Sequence, residues 1–307
     1  VRALVSRLLL HDTRTARPAR VPAGLAELLV RVRPEQLRAD VEHLSSPRSR
    51  THEPEANAAA RQWIAAELTR AGYEIEVQGP YRNVIAVPRT GLARDFTLVG
   101  AHYDSVPGSP GADDNASGVA AMLTCARLLA EASSSPRQVL FVAFNGEEEN
   151  LLGSTDFVAN WLPTRRERCI QAHILEMLGC TAPTQRVPGA LPLDLPPTGH
   201  FVGWLFDPGS KKTMSQMRAL CAACTPGLHG LGLHVHARLA ARIADLLRSD
   251  HAPLWRQKIP AVLWTDTADF RNERYHTAQD TPDSLDYSFL TEVTRLLLAT
   301  LYTSLFS

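Results

Sequence analysis

Apolar positions along this chain switch repeatedly between a helical and a strand-like period. Residues 54–71 carry Ala58, Trp63, Ile64 and Leu68 at helical spacing, with Gly72 where a C-terminal cap belongs. Residues 34–44 read as a second helix. Residues 73–77 and 83–87 alternate as strands do, with a Gly-Pro break between them. Residues 96–100 form a short apolar strand that ends at His102, and residues 118–132, rich in Ala, Leu and Met, predict a helix. Residues 138–144 are almost continuously apolar, which fits a strand covered on both faces. A helix over 156–161, strands over 172–177 and 260–264, and a closing amphipathic helix over 289–306 complete the pattern.

This alternation places the chain in the α/β class, as a single globular domain with a mixed, largely parallel central sheet flanked by helices. The expected domain occupies residues 34–307. The Pro- and Gly-rich stretch 181–208 reads as loops and a peripheral elaboration, and residues 1–33 as a basic leader or linker outside the core. There is no internal repeat.

Composition narrows the function more than the fold. Lys+Arg and Asp+Glu both number 32, so nothing in the net charge favours nucleic acid or anionic lipid as a partner. The balance is uneven, however. Arg2, Arg7, Arg14, Arg17, Arg20, Arg31 and Arg33 face only Asp12 and Glu27 in the first 33 residues, as in the remnant of a targeting sequence or in a variable leading helix. No run approaches the roughly 20 apolar residues that span a bilayer, and the Leu-rich stretch 8–10 is too short for a signal-peptide core. The five cysteines include a C-x-x-C at Cys221 and Cys224 with no second pair at zinc-site spacing, so small buried apolar roles are expected of them, with one disulfide left open.

Chemistry-bearing residues gather just beyond expected strand ends, where open α/β sheets place ligand sites. His102-Tyr103-Asp104 offers an imidazole and a carboxylate on one face of extended chain, suited to a metal ligand and the group that orients it. Gly111-Ala112-Asp113-Asp114-Asn115-Ala116-Ser117-Gly118 precedes a helix; its acids can cap that helix, or one carboxylate can bridge two cations. Asn115-Ala116-Ser117 also fits a glycosylation sequon, against which a tight strand-to-helix turn argues. Glu147-Glu148-Glu149 follows the most apolar strand and reads either as a solvated loop or as carboxylates relieved by a cation. Tyr275-His276 lies late in the chain, followed by Thr281-Pro282-Asp283, and Glu176 ends an apolar strand where an unpaired charge would be costly. Nitrogen and oxygen donors in this mixture suit Zn²⁺ with positions left open for water.

In order, H-x-D-S at 102–105, G-A-D-D-N-A-S-G at 111–118, E-E-x-x-L-x-G-S at 147–154 and the late Tyr275-His276 resemble the co-catalytic di-zinc aminopeptidases. The wider relatives of that family include glutamate carboxypeptidase, glutaminyl cyclase and the transferrin receptor ectodomain. The resemblance spans roughly residues 34–306. It implies the zinc-exopeptidase, phosphorylase/hydrolase-like fold and a metal-dependent exopeptidase that removes N-terminal residues from peptides. It further implies two Zn²⁺ ions, one beside His102 and Glu176 and the other beside His276 and Glu148, with Asp114 bridging them. Glu147 would be the general base acting on a metal-bridging water, and Asp104 would orient His102. Ser249-Asp250-His251 resembles a segment that lies close to the site in the family.

Two departures stand out. Glu176 occupies a position that is Asp in the best-known aminopeptidases, which changes its reach by one methylene and bears on how the metal beside His102 is held. Some relatives carry a carbonyl-polarising tyrosine shortly before S-D-H; here Ala244-Asp245-Leu246-Leu247-Arg248 has none, and Tyr275 can take the role. The competing readings are a glutaminyl-cyclase-type acyltransferase with one zinc, a carboxypeptidase, and a receptor-like binding module without chemistry.

Overall fold

The computed structural model describes residues 6, 9–131, 138–186, 193 and 195–305. Its strands are β1 (Leu10–Asp12), β2 (Tyr73–Gln78), β3 (Asn83–Pro88), β4 (Asp95–His102), β5 (Gln138–Phe144), β6 (Arg168–Glu176), β7 (Val202–Phe206), β8 (Gly230–His234) and β9 (Ala261–Thr265). Its helices are α1 (Leu25–Leu29), α2 (Pro34–Leu44), α3 (Pro54–Arg70), α4 (Gly118–Ala130), α5 (Leu152–Asp156), α6 (Lys211–Cys224), α7 (Ala237–Ala240), α8 (His251–Arg256) and α9 (Tyr287–Leu305).

The strands form one sheet in the order β1-β8-β7-β9-β6-β4-β5-β3-β2. β5, β4, β6 and β9 run parallel at its centre, and antiparallel strands β3 and β2 extend one side. On the other side β7 is antiparallel to β9 and parallel to β8. Central strands are mainly apolar because both faces are covered. Along β5, Val139, Phe141 and Ala143 join the cluster under α4 and α9, while Leu140, Val142 and Phe144 join the opposite cluster with Phe157, Trp161 and Leu254. Among the described residues no helix is long and apolar enough to cross a membrane.

Two expectations need correction. Residues 1–33 were expected outside the core, but their described part is built into the domain. β1 pairs antiparallel with β8, and Leu25, Leu29 and Val32 are buried beside α9. The arginines hid this: Arg14 and Arg31 turn outward to Asp12 and Glu131, while Leu25 and Leu29 between them face inward. Arg2 and Arg7 lie outside the described residues. The stretch 181–208 is likewise not wholly peripheral, since Val202–Phe206 forms β7 inside the sheet. A five-residue strand flanked by Gly and Pro carries too short a pattern to separate from loop; residues 187–192 and 194 of the same stretch lie outside the described residues.

The helix expected over 156–161 begins earlier, as α5, and continues as a wider turn at Phe157–Trp161. The expected ends of the helices over 118–132 and 289–306 lie outside the described residues. All five cysteines are unpaired, three of them buried.

Candidate metal centre

The parallel centre of the sheet brings the acidic and imidazole side chains to one edge. His102 ends β4 and Glu176 ends β6; the register that pairs Ala101 with Leu175 puts these two next to each other. Glu147 and Glu148 follow β5, and Asp113-Asp114 occupies the turn into α4. His276 arrives from the loop after β9.

These side chains converge on one space. His102 Nε2 lies 3.2 Å from Asp114 Oδ1 and 3.3 Å from Glu176 Oε1. His276 Nε2 lies 3.1 Å from Asp114 Oδ2 and 3.1 Å from Glu148 Oε2. Asp114 therefore presents one oxygen to each imidazole. Donor atoms of His102, Glu147 and Glu176 also lie within 4.8 Å of one another. Glu149, the third acid of its run, turns away to pair with Arg50.

Three features fit this cluster to a cation. Asp114 Oδ1 and Glu148 Oε1 are buried without a hydrogen-bond partner, so two carboxylate oxygens remain to be satisfied. The separations of 3.1–3.3 Å match the edge of a tetrahedron of donors about 2.0–2.1 Å from a central ion, which is about 3.3 Å. Finally, the field calls for positive charge. Burial opposes charging of His102, yet Glu176, Glu147, Asp104 and Asp114 hold its pKa well above the usual imidazole value. Burial likewise opposes charge on His276, but Asp114 and Glu148 raise it to about 10. Glu148 is pushed up to about 7, chiefly by burial and then by Asp114, and Glu147 is raised well above its usual range by burial and by the carboxylates of Glu176, Asp250 and Glu148. A cation between the same carboxylates would relieve both effects.

The surrounding groups hold the cluster in place. The Asp104 backbone oxygen lies 3.2 Å from His102 Nδ1, and its carboxylate Oδ1 lies 3.5 Å away. That carboxylate has a further task, accepting the backbone N–H groups of Glu147 and Glu148, each at 3.3 Å. The Ser249 hydroxyl donates to Glu176 Oε2 at 2.6 Å. Asp250 and His251 of the same segment are fully buried, the latter with Nε2 2.9 Å from the Leu246 carbonyl.

Two supporting residues, Asp280 and Arg48, carry no signal in the sequence, and Asn115 and Asp113 lie in a motif that does not reveal their partners. Asp280 receives the backbone N–H groups of Asp113 and Asp114. Asn115, fully buried, donates to Leu175 O and accepts from Met177 N, so its amide is committed to the fold and closed to glycosylation. Asp113 points away from the cluster, accepting from Gly179 N and Asn272 Nδ2. Arg48, also fully buried, donates to Tyr103 O at 2.7 Å and Gly111 O at 2.9 Å, tying together the loop between His102 and Asp114. Asp283, by contrast, lies at the surface, paired with Arg38. Only an acceptor or donor three-dimensionally opposite gives these residues meaning.

A cavity of about 520 Å³ opens beside the cluster. Glu147, Glu148, Glu176, Ser249 and Tyr275 line its polar end, and Met177, Leu205, Leu233, Leu246 and Leu263 contribute to its apolar wall. A donor cluster of this kind at the carboxyl edge of a parallel-centred sheet, open to a cleft, is the equipment of a metal-dependent hydrolase.

Relatives make the class specific. The model of Peptidase family M28 matches residues 83–301, and the chain belongs to that family. It is thus a hydrolytic peptidase, a metallopeptidase. The protein YfbL of Escherichia coli is 33% identical over 297 residues, covering 88% of each chain. The LapA aminopeptidase of Legionella pneumophila shares the fold, with a TM-score of 0.72 at 16% identity over 96% of this chain and 79% of that one. BSAP, a zinc aminopeptidase from Bacillus subtilis, superposes with a TM-score of 0.55 at 26% identity over 72% of this chain, which spans 50% of that protein.

Proposed function

We propose that the protein is a zinc aminopeptidase that binds two ions between His102, Glu176, Asp114, His276 and Glu148. The observation that carries this reading is Asp114, whose two oxygens face two different imidazoles at 3.2 and 3.1 Å. The zinc aminopeptidase name of BSAP, 26% identical, and the aminopeptidase name of Bacillus subtilis YwaD, 40% identical over 100 residues, support the same assignment.

Bound zinc would supply Lewis acidity, lowering the pKa of water towards about 7 and polarising a carbonyl. The chain's own groups do the rest. Glu147 shares its space with His102 and Glu176, so its carboxylate is placed to take a proton from the attacking water and return it to the leaving amine. Asp104 accepts the backbone N–H groups of Glu147 and Glu148 and so steadies the segment that carries the base. Tyr275, on the cavity wall beside His276, offers its hydroxyl to the carbonyl oxygen as negative charge develops there. The apolar wall that includes Leu205 and Leu263 receives the substrate side chain, which favours large apolar residues at the N-terminus.

The test is a panel of aminoacyl reporters and peptides assayed with zinc and with chelator. Zinc-dependent release from free N-termini, blocked by N-acylation, supports the reading. Cleavage that tolerates an N-block but not a C-block would assign a carboxypeptidase instead, and cyclisation of N-terminal glutamine without hydrolysis would assign an acyltransferase.

A further inference from the structure

Arg248 directly precedes Ser249 and sits on the wall of the cavity with two hydrogen-bond partners and a weaker ion pair, Asp245 Oδ1 at 3.8 Å from Nη1. Nη1 donates to Asp269 Oδ1 at 2.8 Å, and Nη2 donates to the Tyr275 hydroxyl oxygen at 3.2 Å. The guanidinium carbon lies 5.7 Å from the centre of the Tyr275 ring. Tyr275 in turn stacks on the His276 imidazole, with centroids 3.6 Å apart and planes 22° from parallel. Arg248 thus joins the segment carrying Ser249 to the loop carrying Tyr275 and His276, across a cavity that Glu147 and Glu176 also line.

The polarity of that contact has one solution. A guanidinium has five N–H donors and no acceptor, so the Tyr275 oxygen must accept. Its own proton is left for another group, and among the described residues none accepts it. The planar fork of arginine serves Asp269 and Tyr275 together, which a single ammonium does with poorer geometry. Accepting a charge-assisted bond also makes the phenol a stronger donor, because linked hydrogen bonds polarise one another.

We propose that Arg248 is a positioning residue for the hydrolysis, holding the Tyr275 hydroxyl so that its proton is offered into the cavity to the carbonyl oxygen of the scissile bond, with Asp269 anchoring the guanidinium. This rests on the hydrolase reading of the site. It also gives a physical reason why the stretch before Ser249 manages without a tyrosine: the segment contributes a brace for Tyr275 in place of a hydroxyl of its own.

The experiment compares Arg248→Met, Arg248→Lys, Asp269→Asn, Tyr275→Phe and the Arg248→Met/Tyr275→Phe pair in the zinc-loaded protein, with Glu147→Gln as reference. Tyr275→Phe is expected to lower kcat about 10²-fold or more. Arg248→Met is expected to lower kcat about tenfold with KM within about threefold, as for loss of one positioned hydrogen bond. Arg248→Lys should recover part of that loss, and the double variant should be no slower than Tyr275→Phe alone. A second readout is independent of turnover: Arg248→Met should weaken binding of an aminoacyl phosphonate, which mimics the tetrahedral state, and leave binding of the free amino acid unchanged. Wild-type kcat in Arg248→Met, a full additive loss in the double variant, or a rise in KM alone would overturn the proposal. If Arg248→Met fails to fold, judged by zinc content and melting, Asp269→Asn carries the same expectations at smaller amplitude. An inactive Glu147→Gln beside a fully active Arg248→Met rejects only this inference, whereas a fully active Glu147→Gln rejects the reading of the site itself.

Discussion

The carboxylate of Asp280 accepts the backbone N–H of Asp114 at 3.1 Å, and its other oxygen takes the N–H of Asp113 at 2.9 Å. One acid outside the cluster thereby fixes the turn that aims Asp114 at both imidazoles. Asp280→Ala leaves two buried N–H groups without an acceptor and is expected to cost on the order of 3 kcal/mol of stability. It should also lower zinc content, because the turn no longer presents its carboxylate. Asp280→Asn keeps one acceptor and should do about half the damage. Equal zinc by elemental analysis and an unchanged denaturation midpoint in Asp280→Ala would contradict this role.

Glu147 is assigned proton transfer, and Glu148 on the next position is assigned to the donor set. Glu147→Gln should therefore keep its zinc while turnover falls about 10²–10⁴-fold, whereas Glu148→Gln should lose metal. Both quantities are read on the same preparations, by elemental analysis and reporter hydrolysis. Metal loss in the first variant would exchange the two roles.

The described part of the first 33 residues belongs to the core, so it should matter for stability. Leu25 is fully buried in the cluster that contains Leu29, Val32 and residues of α9. Leu25→Ala is expected to cost about 2–5 kcal/mol in urea denaturation. A change under about 0.5 kcal/mol, as for a surface site, would return this segment to the status of a linker.

His173 lies buried in β6, where its Nδ1 accepts the Trp264 indole N–H at 3.1 Å. Burial lowers its pKa to about 3. The unfolded chain binds a proton at this residue below about pH 6.5, and the folded protein does not. His173 therefore adds nothing to the pH dependence above pH 6.5, and costs stability as pH falls from 6.5 towards 3, by about 1.4 kcal/mol per unit. His173→Gln should flatten the stability profile by that slope between pH 4 and 6, measured with chelator present in both proteins. Parallel profiles would show that the ring is charged in the fold.

How far the sequence could be read depended on the range of each signal. The strands at 96–100 and 138–144 and the helix at 34–44 were legible because burial on both faces, or on one helical stripe, repeats over many residues. β1 and β7 were not, since three and five residues hold little periodicity, and arginines beside β1 suggested solvent while Gly and Pro around β7 suggested loop. The same distinction separates the site residues. His102, Asp114, Glu147, Glu148, Glu176 and His276 sit in recognisable motifs, and the fold brings them together. Asp280, Arg48, Asn115 and Arg248 act through partners far away in the chain, which no local pattern reveals. Asp104 shows both cases at once: its proximity to His102 follows from sequence, but its carboxylate's bonds to the Glu147 and Glu148 backbone do not.

Anomalous scattering at the zinc edge, from crystals grown with zinc, reaches the shared role of Asp114 most directly. Two peaks should appear, each about 2.0–2.2 Å from a different oxygen of Asp114, with His102 and Glu176 on one and His276 and Glu148 on the other. A single peak, or two that leave Asp114 uncoordinated, would contradict the account.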